Sequence, residues 1–316
     1  MKPFLKVVFV TAMICGGGLA KAAAPPFIPH GGKLLIIGQQ RDSIDGYLAS
    51  IGIVPGGFMS YTSIQTVDGL VKPATHGAGI MQAQYYVNHY PHTVLQLGLY
   101  MVGALDQVWE GKYDNNIAKL ADWIKRANRP IYLRIGYEFD LPDNHYDPLS
   151  YKVAYRYIVD HLRALGVTNV AYVWHSASLI ESKGNFMDWY PGDDYVDWFA
   201  VSIFNPMQIA TAKKFLKLAR DHHKPFMIAE SSAVGSVSTR VKREWFKHLF
   251  DFINAEDIKV VCYINSYWDA YPLFSSMHWG DAQIQDDPEI MARWLQQIKN
   301  GFLQSSPDLF EKLGTH

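Results

Sequence analysis

Two glutamates differ from the other acidic residues because each closes a short apolar run. The sequence contains eight Glu, and only Glu138, in PIYLRIGYEFD, and Glu230, in KPFMIAES, end a run of strand length. A pair of carboxyl groups suits glycoside hydrolysis, in which one protonates the leaving oxygen and the other attacks the anomeric carbon. A carboxyl separation of about 5 to 5.5 Å gives retention, and one of about 6.5 to 9.5 Å gives inversion. We therefore take Glu138 and Glu230 as the candidate catalytic pair.

Two further side chains are expected beside this pair. In an alternating strand Arg134 shares a face with Glu138, and an Arg beneath a carboxylate keeps it ionised or orients its partner. Trp268 shares parity with Cys262 in IKVVCYINSYWD. We expect Trp268 near a rim, where an indole stacks on the apolar face of a sugar, and Cys262 deeper as a packing residue.

Other chemistries find less support in the sequence. His222 and His223 are adjacent, but no third ligand at a useful spacing joins them. Ser231 and Ser232 lack the glycines of a nucleophile elbow. No Gly-rich phosphate turn follows the first apolar run. We predict neither a metal nor a cofactor.

The elements that must position these residues alternate between strand-like and helix-like segments. Amphipathic spacings of three and four recur in 151–165 and 291–302. Eight such repeats predict a single (β/α)8 TIM barrel, with the reacting groups at the carboxyl ends of its strands. Glu138 then ends strand four and Glu230 ends strand seven. The eight predicted strands cover 33–40, 56–63, 93–101, 130–140, 167–176, 197–205, 224–231 and 258–269.

Composition and the amino-terminal segment bound the setting. The net charge of 29 − 30 = −1 gives no basic field for nucleic acid. Residues 1–24 combine Lys2 and Lys6, an apolar core too short to span a bilayer, and small residues, as in a cleaved secretory signal. We expect a secreted or periplasmic protein, with no membrane attachment after cleavage and one barrel domain over 25–316. Its oligomeric state stays open.

Several strings of the sequence resemble family 26 glycoside hydrolases, which are retaining TIM-barrel enzymes that include β-mannanases and β-1,3-xylanases. PIYLRIGYEFD is similar to the family's strand four, KPFMIAES to its strand seven, and WYPGDDYVD to its loop into strand six. The resemblance implies that Glu138 is the acid/base and Glu230 the nucleophile. It also implies that Arg134 supports the pair, that Trp268 forms the floor under the attacked sugar, and that the substrate is a polysaccharide or oligosaccharide.

Two positions depart from the family pattern. Tyr137 stands where the family usually has His before the acid/base, and Phe204 stands where it has a Tyr that donates to the nucleophile. Phe204 lacks that donor, so we expect a raised pKa of the nucleophile unless Asn205 compensates. Together with Arg134 and Trp268, we take Tyr137, Trp174, His175 and Asn205 as candidate substrate contacts. The alternative to a hydrolase is a carbohydrate-binding protein that descends from such a barrel and no longer cleaves.

Overall fold

The predicted apolar runs form one closed ring of parallel strands. The computed structural model describes residues 25–179, 185–235 and 238–315; the predicted signal, 1–24, lies outside them. Each strand of the ring pairs with the next along the chain, and the last pairs with the first, with Leu34 opposite Val260. The predicted (β/α)8 TIM barrel is therefore confirmed. Its strands are β1 (Lys33–Gly38), β2 (Gly57–Ser63), β3 (Val94–Tyr100), β4 (Ile131–Ile135), β5 (Val170–Ser176), β6 (Trp198–Ile203), β7 (Phe226–Ser231) and β8 (Val260–Ile264).

Amphipathic helices cover the outside of the ring. In the helix over 148–164, Tyr151, Ile158 and Leu162 are buried, as their spacing predicts. Pro148 begins this helix, and the Asp147 carboxylate caps it by accepting from the Ser150 amide at 2.9 Å. The helices are α1 (Arg41–Ile51), α2 (Ala83–His89), α3 (Leu105–Trp109), α4 (Asp114–Ala127), α5 (Pro148–Ala164), α6 (Gln208–Asp221), α7 (Thr239–Ala255), α8 (Pro272–Ser276), α9 (Pro288–Gly301) and α10 (Leu309–Lys312).

The regular alternation of strand and helix is interrupted between β5 and β6. The described part of this connection contains a short 3-10 turn, Phe186–Trp189, where the repeat pattern predicted a helix. Two small additions also depart from the simple barrel. Ala74–Thr75 and Ile80–Met81 form an antiparallel hairpin after β2. Phe302–Leu303 pairs with the amino-terminal end of β1.

The strands are buried on both faces, as expected for a parallel sheet enclosed by helices. Cys262 lies inside the barrel, fully buried, with its Sγ 3.7 Å from Met59 Sδ, which agrees with the predicted packing role. Within residues 25–179, 185–235 and 238–315, no helix is long and apolar enough to cross a membrane.

Two strands end earlier than the apolar runs do, and this matters for the site. β4 ends at Ile135, and β8 ends at Ile264. Gly136 follows β4 with φ +54°, in the left-handed region, where a Cβ would lie 2.8 Å from the Tyr151 ring. The backbone therefore turns sharply just before Glu138, and the strand alternation does not reach that residue.

Candidate active site

Two adjoining cavities open at the carboxyl ends of the strands. Glu138, Phe204 and Trp279 line both of them, whereas Glu230 lines the smaller one. The smaller cavity encloses about 560 Å³, and its other lining residues are Gln39, Tyr61, His76, Met81, Tyr137, Trp268 and Phe274. The larger cavity encloses about 1210 Å³, and its other lining residues are Leu141, Asp143, Ala177, Leu179, Asn205, Gln208 and Met277.

A strained turn carries Glu138 into this space. Its φ of +53° is a left-handed value that costs a non-glycine residue energy, so the surroundings must hold it. The Asn144 side-chain amide donates to the carbonyl of Glu138 at 2.9 Å and to that of Tyr137 at 3.2 Å. The Phe139 amide donates to the His175 carbonyl at 3.0 Å, which ties the turn to β5.

The Glu138 carboxyl has one hydrogen-bond partner of particular interest, the hydroxyl of Ser202. Ser202 lies near the end of β6, and its Oγ donates to Glu138 Oε1 at 2.6 Å. Ser202 follows a register shift between Val201 and Ser202, and such a bulge re-aims side chains beside functional sites. Burial, followed by the nearby charge of Glu230, raises the pKa of Glu138 above the ordinary carboxyl value.

The environment of Glu230 is the opposite one. This side chain leaves β7 almost fully buried, and its Oε1 forms an ion pair with Arg134 Nη1. Arg134 comes from β4, so the pair crosses the barrel interior. The Arg134 guanidinium also lies over the rings of Tyr61 and Tyr137, at 4.9 Å and 5.2 Å from their centroids. The sequence predicted an Arg beneath Glu138, and the structure pairs that Arg with Glu230 instead.

His175 lies below both carboxyl groups. It is fully buried, with Nδ1 3.3 Å from Arg134 Nη1 and Nε2 3.0 Å from Ser202 Oγ. Burial and the charge of Arg134 hold the pKa of His175 well below its usual value, so the ring is neutral. Its contacts are with Arg134 and Ser202 inside the barrel, which differs from the expected contact with substrate.

Aromatic rings form one wall of the smaller cavity. Trp268 packs against both Phe274 and Trp279, with ring centroids 4.6 Å and 4.9 Å away, and its indole N–H donates to Ser232 Oγ at 2.8 Å. The expected place of Trp268 at the cavity agrees with the structure, but the reason differs. Trp268 begins a 3-10 turn beyond β8, so its direction comes from that turn and not from strand alternation.

Of the candidate substrate contacts Trp174 and Asn205, only Asn205 lines a cavity of the site. Trp174 points to the outer face of β5, where it stacks on Phe139 at 4.5 Å between centroids and packs on Phe215 of α6. Neighbouring strand residues face opposite sides, so Trp174 and His175 cannot both point inward. Asn205, another candidate substrate contact, lines the larger cavity with Glu138, and its Oδ1 accepts from the Met207 amide at 2.9 Å.

Several residues of the site carry weak signals in the sequence. Ser202 is the one hydroxyl-bearing residue of β6, whereas Tyr61 is one of several in β2, and many buried strand residues of this kind only support packing. Phe274 and Trp279 lie in the long segment after β8, whose path the sequence did not determine. Gln39 does carry a signal, because it directly follows β1. No group of three or more His, Cys, Asp or Glu within the described ranges could hold a metal ion.

A parallel (β/α)8 barrel with two acidic side chains at its carboxyl end defines a class of glycoside-cleaving enzymes. The family model of glycosyl hydrolase family 26 matches residues 77–274. The chain is 32% identical, over 346 aligned positions, to a β-1,3-xylanase from an Alcaligenes species, covering 99% of this chain and 74% of that protein. A β-1,3-xylanase TXYA from a Vibrio species is equally similar, at 32% identity, with 99% and 75% covered. The chain belongs to glycosyl hydrolase family 26 and is a glycoside hydrolase.

Solved structures support the same fold. A GH26 β-mannanase from Bacteroides ovatus superposes with a TM-score of 0.62 at 16% identity, covering 90% of this chain and 94% of that one. A GH26C structure from a Muricauda species gives a TM-score of 0.65 at 16% identity, covering 88% and 90%. At this identity the likeness concerns the barrel itself.

Proposed function

We propose that this enzyme is an endo-acting, retaining β-glycosidase with Glu138 as its acid/base and Glu230 as its nucleophile. The observation that carries the proposal is the contrast between two carboxyl groups on one cavity. Arg134 forms a buried ion pair with Glu230, which holds that carboxylate in place as the nucleophile. Burial and Glu230 raise the pKa of Glu138, so it retains the proton that an acid must deliver. Two carboxyl groups with such different surroundings suit different roles, one as the acid and the other as the nucleophile.

The reaction then takes two steps. In the first, a Glu230 oxygen bonds to the anomeric carbon, the glycosidic C–O bond breaks, and the Glu138 proton passes to the leaving oxygen. In the second, the Glu138 carboxylate takes a proton from water, whose oxygen displaces Glu230 and releases the sugar. Both steps invert the anomeric carbon, so the product keeps the configuration of the substrate.

The two cavities indicate how a polymer lies. The attacked sugar fits the smaller cavity, because Glu230 lines it and Trp268 offers a ring for stacking. The larger cavity contains Glu138 and extends away from Glu230, which suits the leaving part of the chain. Space for sugars on both sides of the cleaved bond favours cleavage within a polysaccharide.

β-1,3-Xylan is the proposed substrate. Both relatives at 32% identity are named as β-1,3-xylanases, and each alignment covers 99% of this chain. Mannan is the second candidate, because the barrel superposes on a β-mannanase. Export with removal of residues 1–24 is part of the proposal, since a polymer of this kind lies outside the cell. Determining the amino-terminal residue of the mature protein tests that part.

A product analysis tests the proposal directly. We expect the purified enzyme to release short oligosaccharides from β-1,3-xylan and to leave β-mannan and mixed glucans uncut. Proton NMR of the first products should show the β anomer before mutarotation. Initial release of the α anomer would overturn the retaining mechanism, and cleavage of mannan alone would overturn the substrate. Binding of these glycans without any cleavage would favour the carbohydrate-binding alternative for this chain.

A further inference from the structure

We propose that Ser202 and His175 form a one-way hydrogen-bond chain that places the transferable proton of Glu138 on its Oε2 atom. Both are positioning residues, because they act through Glu138 and not on the sugar. The inference rests on the proposed function, since it concerns the acid/base of that reaction. It begins from the geometry of three side chains, Arg134, His175 and Ser202, that connect the two carboxyl groups across the barrel.

The direction of the chain follows from Arg134, which has N–H donors and no acceptor. Arg134 Nη1 donates to Glu230 and lies 3.3 Å from His175 Nδ1. His175 Nδ1 must therefore accept, so the single proton of the neutral ring is on Nε2. That proton points to Ser202 Oγ, 3.0 Å away.

Ser202 has one hydroxyl proton, and the contact with His175 determines where it goes. Because the Ser202 oxygen accepts from His175 Nε2, its own proton points to Glu138 Oε1 at 2.6 Å. A protonated Oε1 would place two hydrogens in this short contact. The carboxylic proton of Glu138 is therefore on Oε2, the oxygen that is free to face the leaving group.

The same contact changes the strength of the acid. A hydrogen bond donated to a carboxylate favours the charged form, and the Ser202 hydroxyl lowers the pKa of Glu138 against the opposing effects of burial and Glu230. It also stabilises the carboxylate that appears as the proton leaves. The other titratable or charged groups that face Glu138 are Glu230, Arg134, His175, Asp140, Asp143, Tyr137 and Tyr146.

The test replaces Ser202 and follows the pH profile of kcat/KM. In Ser202→Ala we expect the alkaline limb to move upward by about one pH unit, because the carboxylate loses its donor. The rate on polysaccharide should fall about 10- to 100-fold, a part of the roughly 100- to 10,000-fold that general acid catalysis contributes. The rate on a dinitrophenyl β-glycoside of the same sugar should fall much less, since that leaving group needs no proton. Ser202→Thr keeps a hydroxyl and should restore both the limb and the rate.

Ser231→Ala is the matched control. Ser231 is also a buried strand serine, but its hydroxyl donates to the Cys262 carbonyl at 2.6 Å. A structural loss alone would affect both variants, whereas the alkaline limb should move in Ser202→Ala only. An unmoved limb in a folded Ser202→Ala enzyme would overturn the inference.

Two measurements keep this outcome separate from the proposed function. Glu138→Ala should lose activity on polysaccharide and keep its kcat/KM on the dinitrophenyl substrate, while kcat falls because the second step loses its base. If kcat/KM is not kept, the acid/base assignment fails, whatever Ser202 does. Nitrogen-15 NMR of the wild-type protein reads the His175 tautomer directly, with His175→Gln identifying its signal. A proton on Nδ1 would overturn the inference even if Ser202→Ala cannot be purified.

Discussion

Arg134 lies four residues before Glu138 in the chain, yet its guanidinium pairs with Glu230 on the opposite side of the barrel. The carboxyl group near it in sequence is instead held by Ser202, from a third strand. Each candidate catalytic carboxyl thus depends on a residue from a different strand. The barrel, and not the local sequence, determines which partner each carboxyl group has.

Removing Arg134 alone should cost more stability than removing the whole pair. Arg134→Met leaves Glu230 buried without its counter-charge, and breaking such a pair costs about 3 to 5 kcal/mol. We expect urea unfolding to show this loss. Arg134→Met combined with Glu230→Gln leaves no unpaired charge and should regain a large part of it. Equal stability of the single and double variants would contradict the view that an unpaired Glu230 charge is the cause.

Glu230→Ala should lower kcat by several orders of magnitude without unfolding the barrel. Added azide should then restore turnover of a dinitrophenyl glycoside and give a product of opposite anomeric configuration, because the small anion takes the empty place of the carboxylate. Glu244, an exposed residue of α7, supplies the control: Glu244→Ala should keep the wild-type rate. Azide products of retained configuration would assign the nucleophile elsewhere.

The alkaline limb of kcat/KM should lie above the ordinary carboxyl pKa of about 4.3, because burial and Glu230 raise the pKa of Glu138. The same shift has a stability cost. A carboxyl with a raised folded-state pKa binds its proton more tightly when folded, so stability is lost as pH rises from the unfolded value through the folded one.

Glu138→Gln removes that cost along with the acid. At about pH 8 we expect the free energy of unfolding of this variant to exceed that of the wild type by on the order of 1 kcal/mol or more. At about pH 4 the two free energies should nearly match, because Glu138 is then largely protonated in both the folded and the unfolded state. Parallel urea titrations at the two values check this. A constant difference between them would show that the effect is not one of proton binding.

The leaving-group role of the larger cavity can be tested at Asp143, an exposed residue on its rim. Asp143→Ala should raise KM for polysaccharide about 2- to 10-fold, the loss of one hydrogen bond, while kcat/KM for a dinitrophenyl glycoside stays unchanged. That substrate has no sugar on the leaving side. Asp122→Ala, in α4 and away from both cavities, is the control. An equal loss on both substrates would place Asp143 on the other side of the cleaved bond.

The sequence was sufficient for the barrel because its signals are local. Apolar runs and helical spacings repeat at regular intervals, and the strands they predict differ from the observed ones mainly at their ends. The positions of Glu138 and Glu230 near the carboxyl ends of β4 and β7 follow from the same pattern, since each of them closes an apolar run.

Side-chain direction beyond the strand ends did not follow from the pattern. Glu138 lies after a left-handed turn at Gly136, and Trp268 lies in a 3-10 turn. Strand alternation predicted that both side chains reach the site, but these turns, and not alternation, determine their directions. Alternation does hold at Trp174 and His175. They are neighbours in β5, so only one of them can face inward. The part played by Ser202 depends on a register shift between two strands, which a single sequence does not reveal.

The ion pair between Arg134 and Glu230 also explains how one group can serve as an acid first and a base afterwards. In the proposed covalent intermediate, Glu230 is an ester and carries no negative charge. Glu138 then loses the repulsion that raised its pKa, while the positive charge of Arg134 remains. Its proton affinity falls at the moment when water must be deprotonated and rises again when the sugar departs. In the proposed mechanism, the change of charge on Glu230 is enough to switch Glu138 between acid and base, and no part of the structure has to move.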